Sequence, residues 1–177
     1  KLQDRFAEGI LMTLLEEGPK AFSEPDNYQV RANIMWSATM ALNGLIGAGV
    51  PQDWSTHMLG HEMTAVYGLD HAQTLAIVLP RMMAEQKDTK RGKILQYAER
   101  VLGLDISDED TAIEQAIAAT EAFFHSVNMP TRLSDYNLGE EVADKIVAQL
   151  ERHGMTALGE REQVTLDKSR AILLASV

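Results

Sequence analysis

The sequence predicts an all-α protein, a multi-helix bundle, on three observations. Apolar residues recur at three- and four-residue spacing through most of its 177 residues. Glycine, proline and short polar clusters interrupt that pattern at intervals suited to helices. No stretch makes a convincing strand, and no internal repeat or low-complexity segment is visible.

The elements follow in order. Phe6, Ile10, Leu11 and Leu14 mark a first helix, with Gly18-Pro19 as its expected stop. Ile34, Ala38, Ala41, Leu42 and Leu45 mark a long second helix, ending in Gly47-Ala48-Gly49-Val50-Pro51. Its many small residues suit close neighbours on several sides. Asp53 is the expected N-cap of a third helix that carries His57 and His61 and stops near Gly68. A fourth opens around His71 and runs through Leu75-Ala76-Ile77-Val78-Leu79-Pro80, where Pro80 should kink or restart it.

Ile94, Leu95, Ala98, Val101 and Leu102 line a fifth helix that ends at Gly103. Ser107-Asp108-Glu109-Asp110 then caps a sixth, with acids at the positive end of its dipole, and Met129-Pro130 breaks it. Leu133-Ser134-Asp135-Tyr136 reads as a loop. Val142, Ile146, Val147 and Leu150 give a seventh helix that ends at His153-Gly154, and a last one starts at about Thr165.

Composition narrows the function. With 45% apolar residues the chain can fill the core of one helical domain spanning 1–177. Its net charge of −10, from 26 acidic and 16 basic side chains, argues against nucleic acid and against an anionic membrane surface. The absence of cysteine excludes disulfides, thiol catalysis and thiolate metal ligands, and is compatible with a reducing cytoplasm. No apolar run approaches the ~20 residues of a membrane span.

Three histidines stand out. His57 and His61 are four residues apart, so a helix projects both from one face. His71 follows Gly68, on a segment free to turn back. From His57 to a helix end near Val66 the rise is about 13–14 Å, and five extended residues span at most roughly 17 Å, so His71 can return to either His57 or His61. Converging imidazoles make a metal site or a proton-transfer site; separately, each would be an ordinary hydrogen-bonded histidine. The spacing is not that of a helical zinc peptidase, because Met58 stands where the general-base glutamate would be. Two imidazoles do not close a metal site, and Asp53, Glu62 and Asp70 are the local carboxylates that could add to them, against their simpler reading as caps, turn residues or solvated charges.

Gly60-His61-Glu62-Met63-Thr64-Ala65, Gly68-Leu69-Asp70-His71-Ala72-Gln73-Thr74 and the following Leu75–Pro80 run resemble the histidine signature of the iron-containing (group III) alcohol dehydrogenases, in their NADPH-dependent aldehyde reductase branch. Asn43–Trp54, Lys90-Arg91, Gln96–Arg100, Leu133–Tyr136 and His153-Gly154-Met155-Thr156 extend the likeness over essentially the whole chain. The resemblance implies a dehydroquinate-synthase-like fold, with an N-terminal dinucleotide-binding domain, a C-terminal all-helical domain and the active site between them. It implies a divalent metal, iron or zinc, bound by one Asp and three His, of which His57 and His71 would be the last two. His61 would be a non-ligand catalytic residue beside substrate and nicotinamide, relaying a proton or hydrogen-bonding the substrate. NADP(H) would exchange hydride with a short-chain aldehyde or alcohol, and the full-length protein would form a homodimer.

The chain opens at Lys1 with no initiator methionine, and reads as the helical half of such an enzyme. The Asp, the first His ligand and the glycine-rich nucleotide loop would lie upstream, so the expectation is that 1–177 alone neither reduces an aldehyde nor holds metal tightly. A polyol (glycerol-type) dehydrogenase domain and a non-catalytic helical interaction module are the alternatives. Ser55-Thr56 and Ser107 have no partners that suggest a nucleophile. Gly44, Gly47 and Gly49 follow a helix rather than a strand, which fits termination better than a phosphate loop. Met35, Met40, Met58, Met63, Met82 and Met83 read as core fillers, Phe123-Phe124 as packing, and His125 and His153 as structural residues near helix ends.

Overall fold

Helix boundaries in a computed structural model, which describes residues 1–177, follow the glycine and capping signals closely. Eight helices form in order: α1 Leu2–Ser23, α2 Tyr28–Leu42, α3 Ser55–Tyr67, α4 His71–Glu85, α5 Arg91–Arg100, α6 Glu109–Ser126, α7 Glu141–Arg152 and α8 Leu166–Leu174. The fold is all-α. Its one small exception is a two-stranded antiparallel ribbon, β1 Ala157–Leu158 with β2 Val164–Thr165, which the sequence pattern did not announce. Four residues in all are too few to show an alternating period. Leu133–Tyr136, expected as a loop, is a short 3-10 turn closed by Asn137 in the left-handed region.

Two compact units are present, Lys1–Pro51 with Gly92–Ala119 and Gln52–Arg91 with Thr120–Val177. In the first, α1 packs on α2. Glu8 accepts from Arg5 at 2.8 Å, Gln96 at 2.6 Å and Arg100 at 3.2 Å, and Lys93 reaches Asp4 at 2.7 Å, tying α1 to α5. Gly18-Pro19 does not end α1, which continues to Ser23. The turn beyond Pro19 is held by the bond from Glu24 N–H to the Lys20 carbonyl and by the Lys20–Glu17 pair. The second helix is shorter than its apolar pattern: it ends at Leu42, and Gly44 takes a positive φ of 88°. Met35 is exposed rather than a core filler, as are Trp36 and Leu42, so the close neighbours expected on several sides of α2 are not found at these positions.

The second unit holds the larger core. Leu59 and Met63 of α3, Ile77, Val78 and Met82 of α4, Val142, Ile146 and Leu150 of α7, and Ile172 and Leu173 of α8 are buried together with Leu133, Leu158 and Val164. Pro80 does not restart α4, which runs on through it to Glu85. A proline inside a helix costs on the order of 3 kcal/mol, and here the buried Ile77, Val78 and Met82 on either side of it offset that loss. At the polar edge of this unit Glu121 accepts from Arg81 at 2.7 Å and from Thr131. His125 meets the same threonine hydroxyl at 2.9 Å, as suits a structural histidine.

Candidate active site

The third helix begins where Asp53 accepts a hydrogen bond from the Ser55 N–H at 2.8 Å. Asp53 thus caps from one residue further out than expected, and Trp54 occupies the N-cap position without a side-chain bond of its own. Burial alone would push the Asp53 carboxyl up. Hydrogen bonds from Lys90 and Ser55 outweigh it and hold the group well below the usual carboxylate range. Lys90 bridges Asp53 and Glu160, the latter at 2.6 Å.

Gly68 closes α3 in the left-handed conformation (φ 71°), its N–H donating to the Thr64 carbonyl at 2.9 Å. Three residues later α4 opens with a capping box between Asp70 and Gln73, so His71 is its first residue. The chain has reversed within Gly68–Asp70. That tight reversal brings His71 back against the earlier helix.

The three imidazoles meet. Ring centroids lie 5.2 Å apart for His57–His71, 5.3 Å for His61–His71 and 6.0 Å for His57–His61. The indole of Trp54 stands edge-on to His57, with centroids 5.0 Å apart and planes at 73°. His57 is half-buried, whereas His61 and His71 are exposed. Burial first, and then the neighbouring His71 and His61, push the His57 imidazole below its usual value. His57 is thereby kept neutral at pH 7, with a ring nitrogen free to ligate.

Two imidazoles sharing a tetrahedral metal at ~2.1 Å would hold their centroids about 5 Å apart. The His57–His71 and His61–His71 pairs both have that spacing, so the donor set fits a divalent metal as far as the chain supplies it. The local carboxylates are engaged elsewhere. Asp53 serves Ser55 and Lys90, Asp70 its capping box, and Glu62 accepts from His153 at 2.7 Å. No set of three or more His, Asp or Glu side chains is arranged to close around a metal ion. The remaining histidines, His125 and His153, lie in partnerships of their own.

Two residues around this cluster were not singled out by spacing. One is Trp54, against His57. The other is Gly60, where a Cβ would lie 2.8 Å from the Thr74 hydroxyl oxygen and 3.3 Å from Leu75. A glycine inside a helix costs about 1 kcal/mol against alanine, and that penalty is the signal that could have marked it.

Residues 1–177 match the family model described as Fe-containing alcohol dehydrogenase family, C-terminal. The chain belongs to the iron-containing alcohol dehydrogenase family. It is 62% identical over 176 residues to the NADPH-dependent aldehyde reductase YqhD of Escherichia coli (strain K12), covering 99% of this chain and 46% of that protein. It is 35% identical to the probable NADH-dependent butanol dehydrogenase 2 of Bacillus subtilis (strain 168), with the same 99% and 46% coverage. The solved substrate- and cofactor-free form of YqhD superposes with a TM-score of 0.98 over 100% of this chain and 47% of that one, at 62% identity. The NADH-dependent butanol dehydrogenase A of Thermotoga maritima follows at a TM-score of 0.93 and 28% identity, over 100% and 46% of the respective chains. The chain therefore spans a little under half the length of these iron-containing alcohol dehydrogenase relatives.

Proposed function

We propose that this chain is the helical, metal-binding half of an NADP(H)-dependent aldehyde reductase. His57 and His71 would supply two metal ligands, and His61 would face the substrate. One observation carries the proposal: three imidazoles converge within 6.0 Å on an open edge while every nearby carboxylate is committed elsewhere. A set so restricted to imidazole suits a transition-type divalent ion completed by ligands from outside these residues, an upstream Asp and a further His. Iron and zinc both accept such donors.

A bound divalent metal supplies Lewis-acid polarisation of the aldehyde oxygen. The chain's own residues set the stage. His57, neutral and backed edge-on by Trp54, offers its lone pair in a fixed orientation. His71, first residue of α4, is placed by the turn at Gly68–Asp70. His61 is exposed beside His71 and would deliver a proton to, or hydrogen-bond, the substrate oxygen; a bound nicotinamide would supply the hydride chemistry. The nucleotide would be held mainly by a dinucleotide-binding domain in the remainder of the enzyme, and the whole would work as a homodimer.

NADPH oxidation by the full-length protein with short-chain aldehydes tests this reading. Turnover should require added or retained divalent metal, and His61→Ala should lower kcat by about 10²-fold or more. The fragment 1–177 alone should show no turnover. Reduction of aldehydes that is indifferent both to metal removal and to His61→Ala would refute the assignment.

A further inference from the structure

The spacing of His57 and His71 depends on how closely α3 and α4 approach, and Gly60 meets Thr74 at a tight point of that approach. Gly60 is buried, three residues after His57 and one before His61. Thr74 is fully buried, three residues after His71, and its hydroxyl donates to the His71 carbonyl at 2.9 Å. Gly60 and Thr74 thus mate the turn that carries His57 and His61 with the turn that begins at His71. A methyl group on Gly60 would sit 2.8 Å from the Thr74 Oγ1 and 3.4 Å from its Cβ.

The threonine cannot simply swing aside. Its β-branched side chain has few rotamers, it is closed in on all sides, and its hydroxyl is bonded to the backbone of the residue that must be positioned. A methyl at position 60 therefore has to separate the helices or turn one of them. Packed interiors transmit such changes rather than absorb them. Ligand geometry tolerates only a few tenths of an ångström. Gly68 and Gly49, by contrast, have open space where a Cβ would stand, so their glycine serves backbone conformation and not helix approach.

We propose that Gly60 and Thr74 form a positioning pair: the close seat of the Thr74 side chain on the bare Cα of Gly60 fixes the distance between the imidazoles of His57 and His71 and so sets metal affinity. This rests on the metal reading given above. The test uses the full-length enzyme and compares wild type with Gly60→Ala, Thr74→Ala, the double variant and Thr74→Val. Metal affinity is read by chelator competition, coordination by the visible spectrum of the Co²⁺-loaded protein, and folding by helix content of the metal-free forms.

Gly60→Ala should bind metal about tenfold or more weakly, with a shifted Co²⁺ spectrum, at wild-type helix content. Removing the Thr74 side chain in Gly60→Ala/Thr74→Ala relieves the clash, so the double variant should bind metal no more weakly than Thr74→Ala alone and the two changes should not be additive. Thr74→Val keeps the shape but releases the His71 carbonyl. It serves where Gly60→Ala loses folded content, and should weaken binding without loss of helix. Affinity within threefold of wild type in Gly60→Ala, additive effects in the double variant, or unchanged affinity in Thr74→Val would each overturn the proposal. If His57→Ala itself keeps its metal, it is the metal assignment that fails. If His57→Ala loses metal while folded Gly60→Ala does not, only the positioning claim fails.

Discussion

Glu62 accepts a hydrogen bond from His153 across 2.7 Å, joining the helix of His57 and His61 to the C-terminal end of α7. Glu62 is buried and directly follows the substrate-facing candidate His61, yet its carboxylate points away from the imidazole cluster to this partner. A site with a free glutamate at its rim would have another donor to offer a metal. This one has not.

Removing that tie should cost stability and leave the metal in place. Glu62→Ala should lower the unfolding free energy by about 1–2 kcal/mol, discounted because His153 is 48% exposed. Urea titration of the full-length variant measures this, with metal content assayed in parallel. Loss of metal in Glu62→Ala at intact fold would make Glu62 a ligand and revise the site.

The Asp53–Lys90 bridge gives α3 a pH-dependent anchor. Asp53 ionises below its ordinary value of 3.8 in the folded protein, so its stabilising contribution is present above that pH and is lost on acidification below it. Lys90 is shifted up by Asp53 and Glu160 against burial, and its contribution is lost only above its ordinary value of 10.5. Between these limits the anchor is constant. Asp53→Asn should therefore be less stable than wild type at pH 7, and the difference should shrink as pH falls below about 4. Urea midpoints measured across that range check the convergence.

The reversal between the two histidine-bearing helices makes a sharper demand on residue type. Gly68 has a φ of 71°, and no atom lies within 4 Å of where its Cβ would be. Substitution there is penalised by backbone conformation alone. Gly68→Ala should cost about 1–2 kcal/mol, and Gly68→Asn less, since asparagine tolerates the left-handed region. Thermal unfolding of both variants should give that order.

Much of this was legible in the residues. Gly68, Gly103, Asp108 and Gly154 marked helix ends because their chemistry acts locally, through positive φ or a short side-chain cap. A return of His71 to either His57 or His61 was legible as permitted by chain length and a glycine, and His71 meets both. What escaped notice depends on distant partners. Pro19 was expected to stop α1 and Pro80 to kink or restart α4; α1 instead continues to Ser23, and α4 runs on to Glu85 with Ile77, Val78 and Met82 buried on either side of its proline. The apolar spacing of α2 persisted beyond its true end, since periodicity does not record where a helix loses its neighbour. Glu62 could be seen as an acid beside His61, but not as the partner of a histidine 91 positions away.

Metal content of the full-length protein tests the central claim most directly, measured after purification in wild type and in His57→Ala, His71→Ala and His61→Ala. Wild type should hold a divalent metal, the first two variants should lose it, and His61→Ala should retain it with impaired turnover. Full metal retention in His57→Ala and His71→Ala, with their helices intact, would contradict that claim.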